Sequence, residues 1–312
     1  MSKQLEGQLA VSNEIIKEFQ SLIEQDVAVP VSAMNVLVSV IKRSKATTWM
    51  ELEVELTNAV STLKNCPIDY LGGRTNISLI SGCELFMKNV TSAFSDLTDF
   101  STSKLQLIQR GEKFTSLSTL SRTHIATVGY PFIRDGGTIL TYGCSRCVQN
   151  LLVTAAKTKQ FRLIIPEGRP QNDGYKMSDI YTSVGIPVTV IQDCEVSVYM
   201  QHITMCICGG EGVMESGGIV NKLGTYQIAL VAKLFSKPFY TAVESYKFAR
   251  LYPLSQRDVT DLCLCPSSPV SSSVTPPQID YTPAEYLSLL FTDIGVLTPA
   301  AVSEELIRLY HQ

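Results

Sequence analysis

MCICGGEGVMESGGIVNKLGT, residues 205–225, is the stretch from which the fold class is read. An apolar run typical of a strand, Thr204–Cys208, leads into it, and a helical pattern follows it. Between them lie two Gly-Gly pairs, two acids and an Asn-Lys dipeptide: Gly209-Gly210, Glu211, Glu215, Gly217-Gly218 and Asn221-Lys222. Glycines at the carboxyl end of a strand let the backbone approach a ligand closely, and open α/β sheets bind ligands at that edge. The alternative is a glycine-rich connection with two solvated acids, since no phosphate-loop or dinucleotide fingerprint is present.

On both sides of this stretch, from about residue 120, short β-rich runs alternate with helical patterns. The β-rich runs are Thr138–Tyr142, Phe161–Pro166, Ile186–Ile191, Thr204–Cys208 and Pro238–Val243. The helical patterns are Arg146–Lys159, Lys176–Val184, Val196–His202 and Lys222–Phe235. This alternation predicts right-handed crossovers and a parallel sheet with helices on both faces. We therefore expect a Rossmann-like α/β domain over residues 120–312.

Residues 1–119 predict an all-helical domain in front of the α/β domain. Apolar residues recur there at helical spacing on three stripes: Ile15, Phe19, Leu22 and Ile23; Val36, Leu37, Val40 and Ile41; Leu52, Leu56, Ala59 and Leu63. Pro30 and Pro67 mark breaks between helices, and Leu71–Asn76 is predicted to be a loop. A helix carrying Phe86, Val90 and Phe94 follows the loop.

The last fifty residues begin with a segment that cannot support a core. Cys263–Gln278 is rich in Ser and Pro and predicts a mobile surface loop inserted in the α/β domain. Thr282-Pro283-Ala284-Glu285 has the pattern of a capping box and predicts a helix start. Thr298-Pro299 predicts the start of the last helix, which runs to the end of the sequence.

Composition and charge exclude several classes of protein. The 312 residues are 45% apolar, which argues against global disorder. With 26 basic and 29 acidic side chains and a net charge of −3, the chain lacks the basic footprint of nucleic-acid binding. The sequence shows no signal core and no apolar run long enough for a membrane span. We expect a cytoplasmic protein that contacts neither nucleic acid nor membrane and needs no cofactor.

Nine cysteines raise the question of a metal site. The closest spacings are Cys144-x-x-Cys147, Cys206-x-Cys208 and Cys263-x-Cys265. Cys206 and Cys208 lie in a strand pattern, and the Cys144 pair has no partner at zinc-ribbon spacing. Because only three histidines are present, we predict small buried thiols and no metal.

Polar groups that follow the predicted strands are the candidate ligand contacts. Arg146 follows the first strand, Arg169 the second, and Glu211, Asn221 and Lys222 the fourth. Strand ends that converge at one edge would bring these charges around one crevice, which suits a small anion such as a sugar phosphate. Cys144, near Arg146, is a candidate nucleophile because a nearby cation lowers the pKa of a thiol. The alternative is an inert thiol, since no histidine is placed to act as its base.

Four separate motifs, in order along the chain, resemble the regulatory subunits of translation initiation factor 2B. They are Glu167–Pro170, Gly209–Thr225, Thr241–Phe248 and Leu289–Pro299. The resemblance extends from about residue 78 to the carboxyl end. The compact length, without the long amino-terminal extension of the beta and delta subunits, is most similar to the alpha class.

The resemblance implies a regulatory, non-catalytic role in the factor that exchanges GDP for GTP on initiation factor 2. In that family the alpha, beta and delta subunits sense phosphorylation of the alpha subunit of initiation factor 2, while the gamma and epsilon subunits carry the exchange. The alpha subunit forms a homodimer, through the α/β domain, that joins two halves of a decamer. Lys42, Arg43, Lys45 and Arg74 are candidate contacts for a phosphorylated segment, although a solvated basic cluster is the commoner explanation.

The wider family contains methylthioribose-1-phosphate and ribose-bisphosphate isomerases, whose catalytic pair is a Cys and an Asp. Gly143 stands at the enzymes' Cys position, with Cys144 one residue late, and Glu211 stands at the Asp position. A shifted thiol and a longer acid spoil the geometry that proton transfer needs. Asn221-Lys222 matches the enzymes' Asn-Lys, so the resemblance implies that sugar-phosphate binding is kept without catalysis. An active aldose–ketose isomerase, with Glu211 as the acid–base group, is the alternative.

Overall fold

The computed structural model describes residues 2–25, 27–66, 76–96, 100–263 and 278–311. Side chains are described for all of these except residues 2–10, 92–96, 114–119, 260–263 and 310–311. The chain forms two units, one of residues 1–118, 262–274 and 308–312, the other of residues 119–261 and 275–307. The division between 118 and 119 falls inside a helix, and the domain boundary predicted at 119/120 stays a prediction.

The first unit is helical, as the sequence predicts. Its helices are α1 (Ser2–Glu24), α2 (Val29–Arg43), α3 (Trp49–Lys64) and α4 (Ile77–Asp96), followed by α5 (Phe100–Gly129), which continues into the second unit. The predicted stripes form its core: Phe19, Leu37 and Leu56 are fully buried. Burial of each such side chain contributes roughly 1.5–3 kcal/mol.

Local sequence signals explain where these helices begin. Thr48 and Glu51 form a reciprocal capping box at the start of α3. Pro30 lies in the first turn of α2, where a missing N–H costs nothing. Pro67 and most of the predicted loop, residues 71–75 with Arg74, lie outside the described residues.

The second unit is built on a seven-stranded sheet that confirms the predicted fold class. Its strands are β1 (Thr138–Tyr142), β2 (Arg162–Pro166), β3 (Val188–Ile191), β4 (Met205–Gly209), β7 (Phe239–Ala242), β10 (Leu289–Thr292) and β11 (Gly295–Leu297). Their order is β11-β10-β7-β4-β1-β2-β3, parallel except for β11. The connecting helices are α6 (Arg146–Ala156), α7 (Asp173–Ser183), α8 (Val196–Tyr199) and α9 (Thr225–Leu234). The five predicted strands are confirmed to within two residues at each end.

A second sheet corrects the prediction for the glycine-rich stretch. β5 (Gly212–Met214) and β6 (Ile219–Lys222) lie within it and pair with β8 (Phe248–Ala249) and β9 (Ile279–Thr282) in the order β8-β5-β6-β9. Asn221 and Lys222 are therefore strand residues, and α9 begins at Thr225 rather than at Lys222. Asn221 and Lys222 are held in a strand by pairing with β9, which lies more than fifty residues away. Local periodicity does not predict such long-range pairing.

The predicted helix start at Thr282-Pro283-Ala284-Glu285 is wrong. Thr282 ends β9, and only a single 3₁₀ turn, Ala284–Tyr286, follows before β10. The next residues are drawn into the sheet because Leu290 and Phe291 pair with β7 and are fully buried. The last helix is confirmed: α11 (Val302–His311) follows the turn that begins at Pro299.

The predicted Ser/Pro-rich loop lies almost entirely outside the described residues. At its edges, Cys263 is the last residue of helix α10 (Gln256–Cys263), and Gln278 precedes β9. Among the described residues, none of the helices combines the length and apolar composition that a bilayer crossing needs.

Substitution of Gly217 tests how tightly the connection between β5 and β6 is packed. Its φ is +83°, and a Cβ at this position would lie 2.1 Å from the carbonyl oxygen of Pro299. We expect Gly217→Ala to lower the free energy of unfolding by more than the roughly 1–3 kcal/mol of backbone strain alone. Urea unfolding measures this loss.

Gly136→Ala is the matched control, because Gly136 has a φ of +71° and no atom within 4 Å of an added Cβ. It carries the backbone strain without the steric overlap. Equal losses of stability in the two variants would contradict the proposed packing of Gly217 against Pro299.

Candidate functional site

The candidate site lies at the carboxyl edge of the large sheet, where the strand order reverses. β1 and β4 are adjacent there, and the chain leaves them toward opposite halves of the sheet. The loop that follows β1 packs against the last residue of β4, since a Cβ on Gly209 would lie 2.5 Å from the hydroxyl oxygen of Ser145. Open α/β sheets bind ligands at this point because two loops diverge around it.

Lys222 is a cation that lies beside the loops that follow β1 and β2. Its side chain is 15% exposed, and its ammonium group forms a short ion pair with the carboxylate of Asp173, at the start of α7. Cβ atoms built on Gly143 and Gly168 would lie 3.9 Å from Lys222 Cδ and Nζ, respectively. Both glycines have a φ near +70°, a conformation that favours glycine. The lysine therefore lies beside backbone that carries no side chain. We call Gly143, Gly168, Asp173 and Lys222 the Lys222 site.

Three aspartates accept hydrogen bonds from the ammonium and backbone N–H groups around this site. Asp173 accepts from Lys222, as described. Asp193, just after β3, accepts from the backbone N–H groups of Gly168 and Arg169, each at 2.9 Å. Asp280 on β9 accepts from the N–H groups of Gly224 and Tyr226, at 2.7 and 3.0 Å, and so caps the amino terminus of α9.

Tyr142, the last residue of β1, lies among these carboxylates. Its hydroxyl donates to the carbonyl oxygen of Leu223 at 2.5 Å. Burial raises the pKa of Tyr142, and the charges of Asp193, Asp280 and Asp173 raise it further, so the phenol stays protonated. Burial also raises the pKa of Asp280 to about 6, against the lowering effect of its backbone donors. Its Oδ1 has no hydrogen-bond partner among the described residues.

These three aspartates were not among the residues predicted from the sequence, for different reasons. Asp193 lies two residues after the end of the third strand, so the rule that selected residues at strand ends also covers it. Asp173 opens α7, where an acid is an ordinary helix-start residue. Asp280 lies on β9, whose pairing with β6 is not visible in the local sequence.

The five predicted site residues lie at or beside this edge, with different environments. Asn221 is buried, and its amide donates to the Thr225 hydroxyl, so it holds β6 to α9. Arg169 is 63% exposed and pairs with Glu167 at 3.1 Å. Arg146 is the half-buried first residue of α6, and Glu211 is half-buried between β4 and β5. Their contact with a ligand stays a prediction.

A second charged cluster lies at the end of β7. The carboxylate of Glu244 is almost fully buried, 3.2 Å from the ammonium of Lys247 and 3.8 Å from Nε of Arg122. Lys247 also donates to the carbonyl oxygen of Gly210 at 3.0 Å, which ties this cluster to the loop that carries Glu211.

The opposite charges of Glu244 and Lys247 keep each other ionised. Burial alone would raise the pKa of Glu244, but Lys247 and hydrogen bonds, one of them from Cys147, hold it at about 2. Burial would lower the pKa of Lys247, but Glu244 and Glu211 raise it. Both groups are therefore charged at neutral pH.

The cysteines divide into buried and exposed thiols. Cys147, Cys206 and Cys208 are buried, as predicted, and burial raises the pKa of each. Cys144 is exposed, because it precedes the first turn of α6, which corrects the prediction of a buried thiol there. The described residues contain no group of three or more His, Cys, Asp or Glu arranged to hold a metal ion.

Comparison with known proteins gives matches along most of the chain. The family model described as Initiation factor 2 subunit family matches residues 23–299. The chain is 42% identical to Translation initiation factor eIF2B subunit alpha from Dictyostelium discoideum, over 95% of this chain and 96% of that protein. It is 31% identical to Ribose 1,5-bisphosphate isomerase from Methanocaldococcus jannaschii, over 63% of this chain and 66% of that protein.

A solved structure shares the fold. A chain of the tetrameric eIF2B-beta2-delta2 complex from C. thermophilum superposes with a TM-score of 0.77 at 17% identity. The match covers 97% of this chain and 95% of that chain. At this identity the likeness shows the fold alone.

Lys222→Ala tests whether the Lys222 site binds a sugar phosphate. We expect titration calorimetry with ribose 5-phosphate to show binding to the wild type and at least a tenfold loss in the variant, since a charge-assisted bond to phosphate is removed. Lys176→Ala, an exposed lysine on α7, is the control. Equal affinity of wild type and Lys222→Ala would contradict this assignment.

Glu244→Gln tests the buried ion pair with Lys247. At neutral pH we expect a loss of roughly 3 kcal/mol in the free energy of unfolding, because Lys247 is left buried without its counter-charge. The folded pKa of about 2 lies below the usual value, so the pair stabilises the wild type above about pH 4.3 and less as the pH falls toward 2. The difference between the two proteins should therefore shrink over that range.

Urea unfolding between pH 3 and pH 7 measures this difference. Glu285→Gln, at an exposed carboxylate, is the matched control and should leave the stability nearly unchanged. A difference between wild type and Glu244→Gln that does not change with pH would contradict the ion-pair assignment.

Proposed function

Because the chain belongs to the initiation factor 2 subunit family, we propose that it is the alpha subunit of translation initiation factor eIF2B. It acts as a regulatory, non-catalytic subunit of the factor that exchanges guanine nucleotide on initiation factor 2. The observation that carries this proposal is the 42% identity with the alpha subunit of Dictyostelium discoideum across nearly the whole of both chains.

The geometry of the candidate site supports a non-catalytic role. Gly143, at the position of the isomerases' cysteine, has a φ of +73° that favours glycine over any residue with a side chain. Glu211, at the position of their aspartate, lies within the field of the Lys247 ammonium. Cys147, the nearby buried thiol, has a raised pKa and is not a ready nucleophile.

The assembly is the finer part of the proposal. The chain forms a homodimer through its α/β domain and joins the beta, delta, gamma and epsilon subunits in a cytoplasmic decamer. In that complex it senses phosphorylation of the alpha subunit of initiation factor 2. The 42% identity with an eIF2B alpha subunit over nearly the whole of both chains supports membership of this multi-subunit assembly.

A ligand role accompanies the regulatory one. We propose that the strand-end crevice binds a sugar phosphate or a similar anion through Lys222, Arg146 and Arg169, with Asn221 and Glu211 shaping its wall. The cation of Lys222, largely buried beside two glycines, supports this role. An aldose–ketose isomerase is the second candidate, favoured by the likeness to the Methanocaldococcus jannaschii enzyme.

Reconstitution tests the regulatory function. We expect the purified chain to sediment as a dimer and to join the other four subunits in a larger complex. GDP release from initiation factor 2 should then become sensitive to phosphorylation of the substrate's alpha subunit, and complexes assembled without this chain should lose that sensitivity.

Two results would contradict the proposal. The first is equal inhibition by phosphorylated substrate with and without the chain. The second is a chain that ignores the other subunits and isomerises ribose 1,5-bisphosphate in a reaction that Glu211→Gln abolishes, which would establish the enzyme instead.

A further inference from the structure

We propose that Arg122 is a positioning residue that couples α5 to the loop carrying Glu211, through a cluster that we call the α5 clasp. The clasp joins α5 to the connections that follow β7 and β10. Its members are Ser121, Arg122, Glu244, Ser245, Lys247 and Asp293. The inference rests on the proposed function, since it describes how a regulatory response passes along α5.

Asp293, in the turn between β10 and β11, holds α5 in place. Its carboxylate accepts hydrogen bonds from the Ser121 hydroxyl at 3.2 Å and from the backbone N–H and hydroxyl of Ser245 at 2.6 and 2.9 Å. Its carbonyl oxygen lies 2.7 Å from Nδ1 of His124. Ser121 and Ser245 are buried, so little water competes for their bonds. The turn therefore fixes α5 at two positions on one face of the helix.

Arg122 extends this contact from α5 toward the connection between β4 and β5. Its Nε lies 3.8 Å from one carboxylate oxygen of Glu244, and the other oxygen lies 3.2 Å from the ammonium of Lys247. Lys247 donates in turn to the carbonyl oxygen of Gly210 at 3.0 Å. The charge of Glu211 also acts on Lys247. Cations and carboxylates therefore alternate from α5 to Glu211.

Charge balance makes the two ends of this row depend on each other. Two cations, Arg122 and Lys247, offset two carboxylates. Withdrawal of Arg122 leaves the carboxylates of Glu244 and Glu211 to share one ammonium, and like charges in a poorly solvated site repel. Glu244 is almost fully buried, whereas Glu211 is half-buried. Glu211 is therefore the carboxylate that moves toward solvent, and its loop moves with it.

Two of the four sequence motifs that indicate the family supply most of the clasp. Thr241–Phe248 contributes Glu244 and Lys247, and Leu289–Pro299 contributes Asp293. None of the proposed ligand contacts comes from either motif. The clasp therefore gives both motifs a role that the ligand site does not.

The continuity of α5 gives the clasp its regulatory use. α5 is a single helix of 30 residues, Phe100–Gly129, and Arg122 lies in its second half. Rigid secondary-structure elements and networks of ion pairs carry energetic coupling between distant parts of a protein. A partner that displaces the first half of α5 therefore changes the contact between Arg122 and Glu244.

Hydrogen exchange of the full chain, followed by mass spectrometry, tests the coupling. We expect Arg122→Gln to speed the exchange of residues 120–129 and also that of residues 209–213. The N–H of Glu211, which is bonded to the carbonyl oxygen of Val220, should exchange about threefold faster. Arg122→Lys keeps the positive charge and should keep the wild-type rate at Glu211.

The controls separate coupling from general loosening of the fold. Thr127→Ala is the matched control on α5, because the Thr127 hydroxyl donates to the carbonyl oxygen of Thr123 in its own helix, and it should leave residues 209–213 unchanged. In a Glu244→Gln background, Arg122→Gln should no longer change the exchange of Glu211, because the linking carboxylate is absent. Circular dichroism verifies folding.

Ser121→Ala provides a second measurement if Arg122→Gln does not fold. It removes only the hydroxyl contact with Asp293, and it should speed exchange in both segments by a smaller factor. Faster exchange of α5 alone, with residues 209–213 unchanged, would overturn the proposal. An equal effect of Arg122→Gln in the wild-type and Glu244→Gln backgrounds would also overturn it.

Reconstituted complexes test the regulatory use of the clasp separately. We expect the Arg122→Gln chain to assemble with the other subunits and to weaken the inhibition of GDP release by phosphorylated substrate, while Thr127→Ala keeps it. Full inhibition with Arg122→Gln would contradict this use. A wild-type complex without any inhibition would instead contradict the proposed function, and hydrogen exchange of the chain alone would still decide whether α5 and the Glu211 loop are coupled.

Discussion

The pairing of β1 with β4 is the constraint on which the rest of the α/β unit depends. Four residues of each strand are in parallel register, and side chains on both faces are buried. The pairing brings the loop that begins at Gly143 against the loop that begins at Gly210, and Ser145 fits there only because residue 209 lacks a Cβ. Arg146 and Glu211 follow β1 and β4 closely at this junction, and Lys222 is carried by the small sheet that follows β4.

Two buried carboxyl groups near this junction have their pKa values shifted in opposite directions. Glu244 is buried but ionised, because the Lys247 ammonium and nearby donors outweigh the cost of desolvation and hold its pKa at about 2. Asp280 is also buried, and among the described residues its hydrogen bonds come from backbone N–H groups, so that its pKa rises to about 6. The opposite charge beside Glu244 therefore lowers the pKa of that carboxyl far more than the backbone N–H groups lower the pKa of Asp280, and both carboxylates are largely ionised at neutral pH.

The sequence predicted well those elements whose apolar pattern follows directly from the faces that they bury. Leu163-Ile164-Ile165 is apolar throughout because β2 is buried on both faces, and Leu52, Leu56 and Leu63 recur at helical spacing because one face of α3 packs inward. Thr282–Glu285 shows the limit. Its capping pattern is genuine local chemistry, but burial of Phe291 between β7 and the helices outweighs about 1 kcal/mol of capping energy.

By itself, the sequence determined the helical region, the parallel sheet and the edge of that sheet at which the candidate ligand contacts lie, because periodicity and strand-end position are local properties. Only the tertiary structure decided that Asn221 and Lys222 lie on a strand, that Asn221 is used to hold α9, and that Asp173 meets Lys222. The strand placement and the Asp173–Lys222 ion pair depend on contacts between residues tens of positions apart, and the Asn221–Thr225 hydrogen bond forms because that strand leads into α9. Their energy comes from burial and charge pairing in the folded chain, which no short stretch of sequence encodes.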